Sequence, residues 1–137
     1  MKHIILKTSN GKSIRFKLYE KEAPLTCEAF AKILPFQAKA IQAREAGEEI
    51  WIPDGPELNM PPENATVHLL MGELGIAPNY TRNQVARSIA IIYGEAKLHD
   101  CVNVFAKVFD EDVKSLKKLG EEIWLKGSQV LTFKIIN

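Results

Sequence analysis

The alternation of hydrophobic and polar positions predicts short β-strands along most of the chain. In residues 13–19, Ile, Phe and Leu alternate with Arg, Lys and Tyr, the period-two pattern of a strand with one buried face. An Asn-Gly pair at 10–11 favours the tight turn of a hairpin with a preceding strand at 3–7. Further strands are predicted at 39–43, 48–52, 65–71, 87–93, 102–108 and 130–136, with turns at 45–47 and 72–75.

A helical period replaces the strand pattern in two segments. Residues 25–34 place Leu, Ala, Phe and Ile on one stripe, with Pro24 suited to a first turn and Pro35 ending the helix. Residues 110–120 begin with acids and end with lysines, so we expect Asp110 to cap this helix and Gly120 to end it. About eight strands and two helices predict an antiparallel barrel or sandwich covered by two helices.

The composition predicts one globular domain over residues 1–137. Hydrophobic residues make up 46% of the chain and charged residues 26%, as in ordinary globular proteins. The 18 basic and 17 acidic side chains leave a net charge of +1, which argues against nucleic acid as a partner. No apolar run is long enough to span a membrane, and the first residues do not resemble a secretory signal. We therefore expect a cytoplasmic protein with no membrane partner.

The cysteines and histidines form no pattern that indicates a metal or redox site. Cys27 and Cys101 stand outside any C-x-x-C pair, and we expect both to be buried free thiols. His3, His68 and His99 lie far apart in sequence, without neighbouring ligands at zinc spacing. The expectation is therefore no metal and no cofactor.

Two segments resemble parts of cyclophilins, the barrel-forming peptidyl-prolyl isomerases. Residues 16–30 are similar to the cyclophilin strand, short acidic link, Pro-x-Thr and helix that follow the opening hairpin. The segment 102–108, Val-Asn-Val-Phe-Ala-Lys-Val, is similar to the cyclophilin V-x-F-G-x-V strand, and a helix and a last strand follow it. Residues 43–51 and 72–78 resemble small bacterial and archaeal cyclophilin-like proteins without assigned function. The resemblance implies a mainly β fold, a closed antiparallel eight-stranded barrel with two capping helices.

The resemblance also implies a substrate groove and a candidate catalytic residue. Cyclophilins use an arginine that hydrogen-bonds the substrate near the twisting amide, together with an aromatic pocket for the proline ring. Arg44 falls near the position of that arginine, which implies that it points into a groove beside the strand at 87–93. The alternative is an arginine on the barrel surface that pairs with Glu45 or Glu48.

The aromatic wall of the cyclophilin pocket is largely replaced in this sequence. An Ile-Ala-Ile-Ile run at 89–92 stands where the cyclophilin central strand has Phe, and the cyclophilin Trp and His align near Lys97 and Val102. Because a proline pocket depends on apolar and aromatic contact area, we expect weak or no isomerase activity. The residues predicted to contact a ligand in the groove are Trp51, Tyr80, Ile91, Tyr93 and His99.

The sequence therefore predicts a cyclophilin-like protein that binds a small molecule or a peptide in its groove. The alternative function is a peptidyl-prolyl isomerase with an altered proline pocket. A third alternative is a homo-oligomer, in which Trp51, Ile52 and the Pro-rich loop at 53–62 pair with a second copy.

Overall fold

The computed structural model describes residues 2–79 and 86–137, and its strands close into a barrel. The nine strands in these ranges are β1 (His3–Lys7), β2 (Ser13–Leu18), β3 (Phe36–Gln42), β4 (Gly47–Ile52), β5 (Ala65–Thr66), β6 (Glu73–Ile76), β7 (Ile89–Ala96), β8 (Val102–Val108) and β9 (Gln129–Ile136). They pair in the order β2, β1, β9, β3, β4, β7, β6, β8, and β8 returns to pair with β2. These eight antiparallel strands confirm the predicted closed barrel, and the short β5 extends β8.

Two helices lie against the barrel, α1 (Pro24–Lys32) on β8 and α2 (Val113–Lys126) on β3, β4 and β7. A Glu63 carboxylate oxygen accepts hydrogen bonds from the backbone N–H and the hydroxyl of Thr26, at 2.8 and 2.6 Å. Its other oxygen accepts the N–H of Leu25 at 3.1 Å, so Glu63 satisfies the free donors at the start of α1. Within 2–79 and 86–137, no helix combines the length and apolar character needed to cross a membrane.

The second helix differs from its prediction at both ends. Residues 110–112 form a 3-10 turn, and Asp110 does not cap the helix. The neighbouring Asp112 carboxylate instead binds Arg15, accepting its backbone N–H at 2.8 Å and its guanidinium at 2.9 and 3.1 Å. Gly120 lies inside α2. The absence of a side chain there lets the buried ring of Tyr93 pack on the helix backbone. The helix ends at Gly127, whose φ of 98° suits glycine.

Strand β7 is buried on both faces, which explains its nearly continuous apolar sequence. Ile89, Ile91 and Tyr93 point into the barrel and belong to its main core. Ala90 and Ile92 point outward and pack in a second apolar cluster. The other buried members of this outer cluster are Leu69, Leu98, Val102 and Val104. The outer face of this part of the barrel is therefore covered rather than solvated.

Two predictions between residues 65 and 76, one strand and one turn, are wrong. The predicted strand at 65–71 forms only the two-residue β5, and the predicted turn at 72–75 contains most of β6. Gly72 makes the turn before β6, with a φ of 90°. A Cβ on Gly75 would lie 2.5 Å from Cγ2 of Val102, so this glycine allows β6 to pack closely against β8.

Candidate functional site

A cleft of about 240 Å³ opens on the outer face of the barrel. Its floor consists of outward-facing side chains of β4 together with residues at the start of β7, and it lies beside the outer cluster. The turn between β3 and β4 forms one wall, and the segment 98–102 between β7 and β8 forms the other. The cleft is therefore built from parts of the chain that are distant in sequence.

Glu49 lies on the floor of the cleft and is only 5% exposed. Among the described residues, none donates a hydrogen bond to its carboxyl group. Burial removes water from the carboxyl, which disfavours its charged form and raises its pKa to about 8. At neutral pH the carboxyl is therefore mostly protonated, and it can donate as well as accept a hydrogen bond.

Ser88, just before β7, places a second buried polar group in the cleft. Its side-chain oxygen has no hydrogen-bond partner in the part of the chain that the structure describes, and the residue is 5% exposed. Glu49 pairs with Ile92, four residues beyond Ser88, so the two backbone positions lie roughly 13 Å apart along the strands, at about 3.3 Å per strand residue. The cleft thus has an unpaired polar group near each end of its floor.

Trp51 and His99, two residues predicted to contact a ligand, both line the cleft. Trp51 is half-buried and lies between Glu49 and Ser88, opposite Ala90 in the strand register. Its ring offers a flat apolar surface between the two polar groups. His99 is exposed on the wall opposite the β3–β4 turn.

Arg44, the predicted catalytic residue, does not line the cleft. Its guanidinium carbon lies 4.3 Å from the centroid of the Trp124 ring on α2, a cation–π contact. The preceding residue, Ala43, lines the cleft instead. Both residues follow the end of β3 at Gln42, in the connection to β4, and only Ala43 contributes to the wall of the cleft.

Three other predicted residues also fall outside the cleft as described. Ile91 and Tyr93 point into the barrel, because Ala90 and Ile92 take the outward positions of β7. Ile52, predicted to pair with a second copy, is fully buried in the barrel core. Tyr80 lies outside the described residues.

Cys101 corrects the prediction that both thiols are buried. It is exposed and lines the cleft, whereas Cys27 is buried and its thiol donates to the carbonyl of Phe105 at 3.3 Å. Burial raises the pKa of the Cys27 thiol to about 12, so this thiol is inert at neutral pH. In residues 2–79 and 86–137, no three His, Cys, Asp or Glu side chains are arranged to hold a metal ion.

Glu49 and Ser88 are the site residues that the sequence analysis missed. The sequence did contain one signal of a covered outer face, the apolar run of β7. A strand that is apolar on both faces must be covered on both faces. The continuous apolar run in β7 therefore implied that outward residues on the neighbouring β4 are also desolvated. Glu49 shares the outward face of β4 with Trp51, so its burial could have been inferred.

A family profile described as "Protein of unknown function (DUF3830)" matches residues 5–135. The comparison with curated proteins finds no match. Among solved structures, McbB in complex with tryptophan has a TM-score of 0.75 and 16% identity. That similarity covers 96% of this chain but only 44% of the McbB chain, so this chain spans less than half of McbB.

Two further solved structures match over nearly their whole length. A hypothetical protein from Archaeoglobus fulgidus has a TM-score of 0.64 and 15% identity, covering 96% of this chain and 92% of that one. A cyclophilin-type peptidyl-prolyl cis-trans isomerase from Cryptosporidium parvum, solved in the presence of the dipeptide Ala-Pro, has a TM-score of 0.60 and 14% identity. This match covers 98% of this chain and 97% of that one. The predicted cyclophilin-like fold is confirmed.

Proposed function

The chain belongs to DUF3830, a family of proteins of unknown function, and we propose that it binds a small organic molecule in the outer-face cleft. The observation that carries this proposal is the buried Ser88 hydroxyl, which has no hydrogen-bond partner among the described residues, together with the mostly buried Glu49 carboxyl at the other end of a largely apolar cleft. The cytoplasmic location expected from the sequence stays part of the proposal.

An energetic argument supports a ligand at this place. A buried polar group without a partner costs about 1–3 kcal/mol relative to the same group hydrogen-bonded or in water. Glu49 and Ser88 would each regain a hydrogen bond from a ligand with a polar group at either end. The apolar middle of such a ligand would lie on Trp51.

The size of the cleft supports a ligand with about one aromatic ring. Its volume of about 240 Å³ corresponds to roughly eight water molecules at about 30 Å³ each. McbB, which shares the fold, was solved with tryptophan, and that complex supports an aromatic small molecule as the kind of ligand. We extend only this general kind of ligand to the present chain.

Binding of tyrosol, a neutral ring compound with a hydroxyl at each end, tests the proposal. We expect the NMR signals of residues around Trp51 and Ser88 to shift as tyrosol is added, because both hydroxyls can hydrogen-bond in the cleft. Ala43→Phe should weaken binding at least tenfold, since Ala43 lines the cleft and a larger ring would fill it. Ala65→Phe, at an exposed position outside the cleft, is the matched control and should bind like the unmodified chain.

Two results would contradict the proposal. One is the absence of binding at millimolar tyrosol, and the other is binding that Ala43→Phe and Ala65→Phe affect equally. The second result would place the ligand elsewhere on the molecule.

Isomerase activity is the second candidate function, and the structural similarity to a cyclophilin-type isomerase favours it. The described lining of the cleft, however, contains no arginine to hydrogen-bond a twisting amide. Uncatalysed rotation faces a barrier of about 18–20 kcal/mol, and without that hydrogen bond and an aromatic proline pocket there is little to lower it.

We therefore expect at most a few-fold acceleration of cis-to-trans relaxation in a proline-containing test peptide. The assay compares relaxation with the protein, with Arg44→Ala and without protein. Because Arg44 stacks on Trp124 outside the cleft, Arg44→Ala should leave any residual rate unchanged. A rate comparable with that of a typical cyclophilin, abolished by Arg44→Ala, would make the isomerase the better assignment.

A further inference from the structure

The charged side chains in the described lining of the cleft are acidic. Glu45 and Asp100 line it beside Glu49, which is mostly protonated in the free protein, and the described lining contains neither lysine nor arginine. His99 is the one imidazole in the described lining. A ligand with a carboxylate or a phosphate would meet like charges here, whereas a cation would meet opposite charges.

We propose that the cleft selects small aromatic amines, with the ammonium group at Glu49, the ring on Trp51 and a second polar group at Ser88. This inference rests on the proposed function, since it names the class of ligand for the same cleft. An ammonium donates hydrogen bonds to a carboxylate, and charge-assisted hydrogen bonds of this kind are about twice as strong as neutral ones.

The spacing of the two buried groups limits the length of the ligand. Hydrogen bonds of about 2.8 Å at each end take up part of the separation between Glu49 and Ser88, which leaves roughly 8 Å between the polar ends of the ligand. Tyramine, with an amine and a phenol hydroxyl on opposite sides of one ring, has about this length. Tyrosol has the same skeleton with a hydroxyl in place of the amine, and is therefore its neutral counterpart.

Amine binding is coupled to the loss of a proton. In the free protein Glu49 is mostly protonated at pH 7, because burial raises its pKa to about 8. An ammonium beside it favours the carboxylate form, so the complex contains R–NH₃⁺ and Glu49–COO⁻. The Glu49 proton leaves to solvent, and the amine keeps its own proton. Close to one proton, roughly 0.9, should be released for each tyramine bound at pH 7.

The titratable groups that share the described cleft with Glu49 come from both of its walls. The β3–β4 turn contributes Glu45, and the segment between β7 and β8 contributes His99, Asp100 and Cys101. The other floor residues, Trp51, Ser88 and Ala90, do not titrate. His99 contributes the one imidazole among these described lining groups, so a variant that removes it is the control for the pH dependence.

The test compares tyramine with tyrosol by titration calorimetry between pH 6 and pH 8. We expect tyramine to bind at least tenfold more tightly than tyrosol at pH 8. Its affinity should fall about tenfold per pH unit below pH 7, as fewer molecules contain ionised Glu49. Tyrosol affinity should stay constant over this range. Titrations at pH 7 in buffers with different ionisation enthalpies measure the released proton.

Three variants assign these effects to residues. Glu49→Gln should remove the preference for tyramine, the pH slope and the proton release, because glutamine does not ionise. Ser88→Ala should weaken tyramine and tyrosol by the same factor, because both place a hydroxyl there. His99→Gln should keep the pH slope for tyramine.

The outcomes separate this inference from the proposed function. If tyrosol binds in the cleft and tyramine binds no more tightly at pH 8, the amine class is wrong and the small-molecule site stands. A pH slope that disappears in His99→Gln and persists in Glu49→Gln also overturns the inference. If neither compound binds in the cleft, the proposed function itself fails.

Discussion

Replacing Glu49 by glutamine is expected to raise the free energy of unfolding by about 3 kcal/mol at pH 7. This value follows from about 1.36 kcal/mol for each unit by which the pKa differs between the folded and unfolded chain. The cause is the burial that raises the pKa of Glu49 from its ordinary value of 4.5 to about 8 in the folded chain. Between these pH values the folded state holds a proton that the unfolded state has released. Stability therefore falls as the pH rises from about 4.5 to about 8. Glutamine resembles the protonated acid and carries no such penalty.

Urea unfolding at pH 4.5, 6, 7 and 8 measures this effect. The stability of Glu49→Gln should match that of the unmodified chain at pH 4.5, and the advantage of the variant should grow up to pH 8. Glu57→Gln removes the same charge from an exposed position and should change stability by less than about 0.5 kcal/mol at each pH. A Glu49→Gln advantage that does not change with pH would show that the carboxyl is not desolvated.

Replacing Gly120 by alanine is expected to lower the free energy of unfolding by about 2 kcal/mol, within the usual range for overpacked cores. Helix propensity alone predicts the opposite, a gain of about 1 kcal/mol for alanine inside a helix. A Cβ at this position would lie 2.4 Å from Cγ of Tyr93 and 2.5 Å from Cδ1 and Cδ2. The ring cannot move away easily, because it is buried and its hydroxyl donates to Gln42 at 2.5 Å.

Urea unfolding tests whether the Tyr93 ring requires glycine at position 120. The variants are Gly120→Ala, Ser115→Ala, and Gly120→Ala in a Tyr93→Ala background. Ser115→Ala, on the exposed face of the same helix, should be neutral or stabilising by up to about 0.5 kcal/mol. With Tyr93→Ala as the background, Gly120→Ala should become neutral or stabilising, since the ring that it meets is gone. If Gly120→Ala alone stabilises the protein, the packing of Tyr93 does not require glycine in α2.

Most strands and both helices could be predicted from local sequence, because their patterns are complete within a few residues. The opening hairpin shows this, since period-two alternation and an Asn-Gly turn predicted β1 and β2, which pair from His3↔Lys17 to Lys7↔Ser13. The resemblance to cyclophilins then predicted the closed barrel. The site was predicted less well, with Trp51 and His99 in the cleft and Arg44 outside it.

The sequence by itself determined where most strands and both helices form, because backbone preference and hydrophobic period depend on near neighbours. Only the tertiary structure decided which side chains share the cleft. In the connection between β3 and β4, Ala43 lines the cleft, whereas the next residue, Arg44, stacks on Trp124 of α2. In the sequence, Glu49 looks like any other acid in a strand. Its pKa is raised because distant segments pack over it and exclude water.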